Sequence, residues 1–111
     1  MYIQQYLNIL RKRYTSMELL NQYVQQFNAL ADEFRLKILL YLYLHGEQCV
    51  CQICDYFKIG QSNISYHLKI LCEANLLQKR QIAVWNYYSL NKSSNIYPLL
   101  TNLLQKIKVK D

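Results

Sequence analysis

Cys49-Val50-Cys51-Gln52-Ile53-Cys54 places three thiols within six residues of a 111-residue chain that has only four cysteines. Clustered thiolates are donors for soft metals and metalloids. A helix beginning near Val50 would lower thiol pKa values at its start and favour the thiolate. Cys51 and Cys54, three apart, would share a helix face with Cβ atoms about 5–6 Å apart. Cys49 would lie about 200° round from Cys51 on an ideal helix. Three sulfurs then meet one ion only if the helix start unwinds, and a sensor built this way would use that strain to distort its neighbours. Inert packing is the alternative, and it is the preferred reading of Cys72. A structural zinc site would need a fourth ligand, and Cys72 is the only spare cysteine. Cys51-x-x-Cys54 also has the spacing of a redox pair. The βαβ setting of a thioredoxin-like catalyst is missing, so the chain is not expected to be an enzyme.

A second set of chemical groups follows at once. A helix over about 61–74 buries a stripe of Ile64, Leu68 and Leu71. Ser62, Tyr66 and Lys69 project from its opposite side, flanked by Asn63 and Ser65. These hydroxyl, amide and cationic groups suit base edges and phosphates in a major groove. Gln61 and Ser62 open the helix, so their backbone N–H groups can meet a phosphate. Lys79 and Arg80 follow on an extended segment that can reach the DNA backbone or minor groove. His67 lies towards the core side and reads as a structural hydrogen-bonding residue.

The elements that must hold these groups have clear punctuation. Residues 2–13 suggest a short leading helix. Thr15-Ser16-Met17-Glu18 has capping-box spacing and opens a helix with Met17, Leu20, Val24, Phe27 and Ala31 at helical intervals. Asp32 can cap a second helix, apolar almost all round, that Gly46 ends. A third short helix covers about 50–57, and Lys58-Ile59-Gly60 turns the chain into the helix at 61–74. Two helices joined by such a turn form a helix-turn-helix. The period then changes: 76–82 and 84–90 read as two strands joined at Ile82-Ala83, a β-wing. Pro98 sits in the first turn of a last helix striped by Tyr97, Leu100, Leu103, Leu104 and Ile107. The expected fold is mainly α (α+β), a winged helix-turn-helix of order α-α-α-α-β-β-α. Residues 1–111 would form one domain, its first and last helices pairing two copies into a homodimer.

Charge agrees with an anionic partner. The net charge of +6 is unevenly spread: residues 15–55 carry −3, whereas residues 56–92 carry +4 with Glu73 their one acid. Such a basic half suits DNA. Hydrophobic residues at 52% and charged residues at 18% exclude a disordered chain. No apolar run reaches membrane-spanning length, and no secretory signal pattern opens the chain. The expected location is the cytoplasm, where the cysteines would be thiols rather than a disulfide framework.

Three segments, Asn28–Leu39, Gln61–Leu71 and Val84–Leu90, resemble the ArsR/SmtB family of metal-sensing repressors over roughly residues 16–107. The resemblance implies a recognition helix at 61–71 and a second wing strand at 84–90. Residues 49–54 are similar to the cysteine box of the arsenic-responsive members. It implies that Cys49, Cys51 and Cys54 bind trivalent arsenic or antimony as thiolates and so release operator DNA, with no obligatory cofactor. Members answering cadmium or lead add N-terminal cysteines, which this chain lacks. Zinc-responsive members use His and acidic ligands on the last helix, and residues 97–107 offer neither. Glu33 stands where the family usually has Pro, Gln52 where it has Asp, and Ile82-Ala83 where the wing tip has Gly. The expected function is a metalloid-released repressor; the alternative is a thiol-redox-sensing repressor with the same DNA mode.

Overall fold

The computed structural model describes residues 16–110. The expected leading helix at 2–13 and Thr15 of the capping box lie outside them. Helix α1 spans Ser16–Leu30 and α2 spans Glu33–His45. Asp32, in extended backbone, caps α2 by accepting from the Arg35 N–H at 2.9 Å. That bond satisfies one of the N–H donors a helix start leaves unpaired. It also holds the Asp32 carboxyl below its ordinary range. Gly46 closes α2 with φ +77°, a left-handed backbone that glycine adopts without strain.

Strand β1, only Gln48–Cys49, leads into α3, Val50–Phe57; α4 follows over Gln61–Glu73. Strands β2, Leu77–Ile82, and β3, Trp85–Leu90, form the wing hairpin, and α5 spans Tyr97–Lys110. The sheet is antiparallel with order β1-β3-β2, so β1 pairs with the second wing strand. This third strand is the one element the sequence did not announce. Two residues are too few to show period-2 alternation.

Packing runs through the middle of every long element. Ile38, Leu39 and Leu42 of α2, Ile53 of α3, and Ile64, Leu68 and Leu71 of α4 are fully or almost fully buried. They meet Ile96, Leu100 and Leu104 in one core. The expected inward stripe of α4 is therefore confirmed. On α1 the core side is different from the apolar stripe. Gln26 and Ala29 are buried, whereas Met17, Leu20, Val24 and Phe27 are each more than half exposed. Buried Gln26 is satisfied by reciprocal amide bonds to Asn95, at 2.8 and 3.2 Å, which tie α1 to the start of α5. Ala31, expected to extend the α1 stripe, lies past the helix end. Among the described residues no helix is long and apolar enough to cross a membrane.

Candidate nucleic-acid interface and cysteine site

Helix α4 carries the expected polar face. Gln61, Ser62, Asn63, Tyr66 and Lys69 are exposed and Ser65 is half-buried. Its N-cap is Gly60, and no side chain caps the first turn. The N–H groups at that end stay open to an anion, and the helix dipole favours a negative one. The turn before it reverses at Lys58, whose φ of 57° and ψ of 46° make it the left-handed C-cap of α3. The turn falls at Lys58-Ile59-Gly60 as expected, and within it Gly60 has an ordinary extended φ of −62°.

Behind this face, Arg35 organises three elements. Its Nε donates to the Ala29 carbonyl at 2.7 Å, and its Nη1 lies 3.3 Å from His67 Nδ1. The His67 ring also packs edge-on against Phe34. This placement gives His67 the structural role read from its position. Arg35 itself was missed, because an exposed-looking helix cation carries no sequence signal for such contacts.

On the wing, Lys79 is exposed and sits opposite Tyr88. Arg80 is engaged elsewhere. Its Nε donates to Glu47 Oε2 at 3.1 Å and its Nη2 to Oε1, a two-pronged ion pair. Arg80 in turn pulls the Glu47 carboxyl below its usual range. In this arrangement Arg80 braces the loop before β1 against the wing, while its side chain stays 62% exposed. The hairpin turns at Ala83, whose φ of 56° is the conformation that glycine would adopt more readily.

The cysteine cluster departs from the ideal-helix picture. Cys49 is not on the helix; it is the extended N-cap of α3, with φ −72° and ψ 152°. Freed from the 100° helical step, its side chain swings to Cys51, and the two are joined as a disulfide with a Cα–Cα distance of 5.3 Å. The expectation that all four cysteines are thiols is corrected here: Cys54 and Cys72 are free. Gln52, standing where the family has Asp, completes a capping box: its Oε1 accepts from the Cys49 N–H at 2.8 Å.

Cys51 and Cys54 line one open cavity of about 600 Å³ with Asp55, Lys58, Ile59, Gly60 and Gln61. The far wall of that cavity is the turn into α4. Burial pushes the Cys54 thiol up, contrary to the expected thiolate. Cys54 lies beyond the first turn of α3, where the helix-start effect has faded. Burial likewise raises the half-buried Cys72, in keeping with its reading as packing. Among the described residues no three metal-ligating side chains are assembled in advance. The donors match a soft thiophilic ligand in kind, and gathering all three requires opening the Cys49–Cys51 bond.

Comparison with known proteins now adds what geometry alone does not. Residues 32–79 match the family described as "Bacterial regulatory protein, arsR family". The chain is 49% identical over 77 residues to the arsenical resistance operon repressor of Bacillus subtilis, covering 69% of this chain and 73% of that one. The chain belongs to the arsR family. It is a DNA-binding transcriptional regulator of winged helix-turn-helix fold, not an enzyme. Among solved structures, HlyU from Vibrio cholerae is similar, with a TM-score of 0.67 at 29% identity over 77% of this chain and 90% of that one. The homodimeric winged helix-turn-helix DNA-binding domain of a possible ArsR-family transcriptional regulator from Mycobacterium bovis gives 0.68 at 26%, covering 84% and 81%.

Proposed function

We propose that this arsR-family chain is a repressor released from its operator by trivalent arsenic or antimony at Cys49, Cys51 and Cys54. The observation that carries this reading is the shared cavity: Cys51 and Cys54 face the Lys58–Gln61 turn that aims α4. The similarity to a Bacillus arsenical resistance operon repressor supports the choice of inducer.

DNA is read by Gln61, Ser62, Asn63, Ser65, Tyr66 and Lys69 on α4, with Lys79 on the wing. One such face reads only a few base pairs, so two copies act together on half-sites about 34–36 Å apart. The exposed stripe of α1 and exposed Leu99 and Leu103 of α5 form the homodimer contact; that the Mycobacterium bovis neighbour is homodimeric supports pairing of two copies. These helices then belong to a single domain spanning 1–111.

A cellular thiol first reduces the Cys49–Cys51 disulfide to two thiols, itself becoming oxidised. The three cysteines then replace the hydroxyls of the trivalent metalloid, releasing three waters and forming three sulfur bonds that exist only in the released state. Cys49 answers by leaving its cap on α3 and its place in β1, where it pairs with Tyr87. Cys51 and Cys54 answer by shifting α3 against the turn. Taking a site from about 99% to 1% occupied demands about 5.5 kcal/mol of differential binding, which sulfur coordination has to provide.

The Cys49–Cys51 bond favours a second reading. Here the two thiols give two electrons and two protons to an oxidant such as a peroxide, and the disulfide state sets DNA affinity. Operator binding by phosphine-reduced protein, titrated with arsenite or with hydrogen peroxide, separates the two. Release by arsenite with no disulfide formed supports the first reading; release by peroxide alone supports the second.

A further inference from the structure

The wing tip is apolar where a DNA-reaching loop would ordinarily be polar. Val84 is 80% exposed, Trp85 51% and Ile82 46%, three large apolar side chains within four residues. Ile82 and Trp85 are cross-strand partners beside the turn, so they share one sheet face. The Ile82–Trp85 pair lies three residues beyond the core residue Tyr88, about 10 Å along the strand. Among the described residues none covers it.

The surrounding charge indicates what does. Residues 76–92 hold Lys79, Arg80, Lys92 and no acid. The hairpin leaves the end of α4 after only three residues, and β2 packs on that helix. Arg80 is committed to Glu47, which leaves the outer wing with Lys79 and an apolar end. Self-association already has an apolar surface on α1 and α5. Apolar side chains at a loop tip fit the minor groove of duplex DNA, where they wedge between base steps.

We infer that Trp85, with Val84 and Ile82, is a DNA contact: the wing grips the duplex by apolar insertion at its tip rather than through Arg80. This rests on the operator-binding reading above. The tip contributes affinity that salt does not screen, and it favours A·T-rich flanks, whose groove edges accept an apolar wedge.

Trp85 is the single tryptophan of the chain, so its emission reports the tip directly. The reduced 111-residue protein is titrated with duplexes spanning the region upstream of its gene. Duplex anisotropy, selectively excited tryptophan emission and acrylamide quenching are read together. The expected result is loss of quencher access in step with the rise in anisotropy. Trp85→Ala should weaken binding on the order of tenfold, the scale of one stacking side chain, and Val84→Ser should weaken it by a smaller factor. The salt dependence should keep its slope in both, whereas Lys79→Ala should lower it by about one. Val84 is exposed enough that its substitution leaves folding intact. Duplex binding with Trp85 still fully quenchable overturns the inference and leaves operator binding standing. Protection that tracks protein concentration without DNA overturns it in favour of a second copy at the tip. No anisotropy change with any duplex removes both readings.

Discussion

Asp32 shows how one side chain sets a helix and a pH response together. It accepts the Arg35 N–H, and its carboxyl sits below the ordinary range. A depressed carboxyl stabilises the fold above the unfolded-state pKa, and that contribution disappears as pH falls through the folded value. Asp32→Ala should therefore cost about 1 kcal/mol near neutrality and much less in acid, as urea unfolding at both pH values would show. Gln52 makes a parallel case at the cysteine site. Gln52→Ala should destabilise by about 1 kcal/mol, with Gln52→Glu restoring most of it, because the Cys49 N–H needs an acceptor. The cysteine cluster was legible as a cluster, and its position at a helix start was legible too. Its internal geometry was not, because a helical wheel assumes Cys49 has helical backbone and Cys49 does not. Glu47 was equally hidden: a lone acid in a loop gives no hint of an arginine 33 residues further on.

At the level of elements, periodicity served where an element was long. The buried stripe of α4 and the hairpin boundaries follow from spacing and β-branched content, and both stand within a residue of the structure. Where a stripe points is a different matter. The spacing of Met17, Leu20, Val24 and Phe27 is helical, but they face outward while Gln26 faces in. Periodicity identifies an apolar face and says nothing about what covers it. The wing tip illustrates a local conflict. Ala83 holds a left-handed φ of 56° with a Cβ that disfavours it. Ala83→Gly should relieve that conflict and raise stability by up to about 1 kcal/mol, less the entropy glycine restores to the unfolded chain. A thermal melt of the variant beside the wild type checks the sign.

For the whole molecule, the exposed faces of α1 and α5 and the polar face of α4 must act together. A single reading face is too small for operator affinity, so the proposed dimer is a condition for function. Leu20→Glu puts a charge into the proposed contact without touching the buried core. It should give a monomer by light scattering and weaken operator binding by at least tenfold while the far-ultraviolet spectrum stays native. The central claim joins the two chemical sites: sulfur ligation at α3 decides whether α4 stays on DNA. Its most direct test is fluorescence anisotropy of a labelled operator duplex bound by reduced protein, titrated with arsenite, with Cys51→Ser beside the wild type. The account predicts that arsenite releases the wild type and leaves the variant bound. Equal release of both, or of neither, would contradict it.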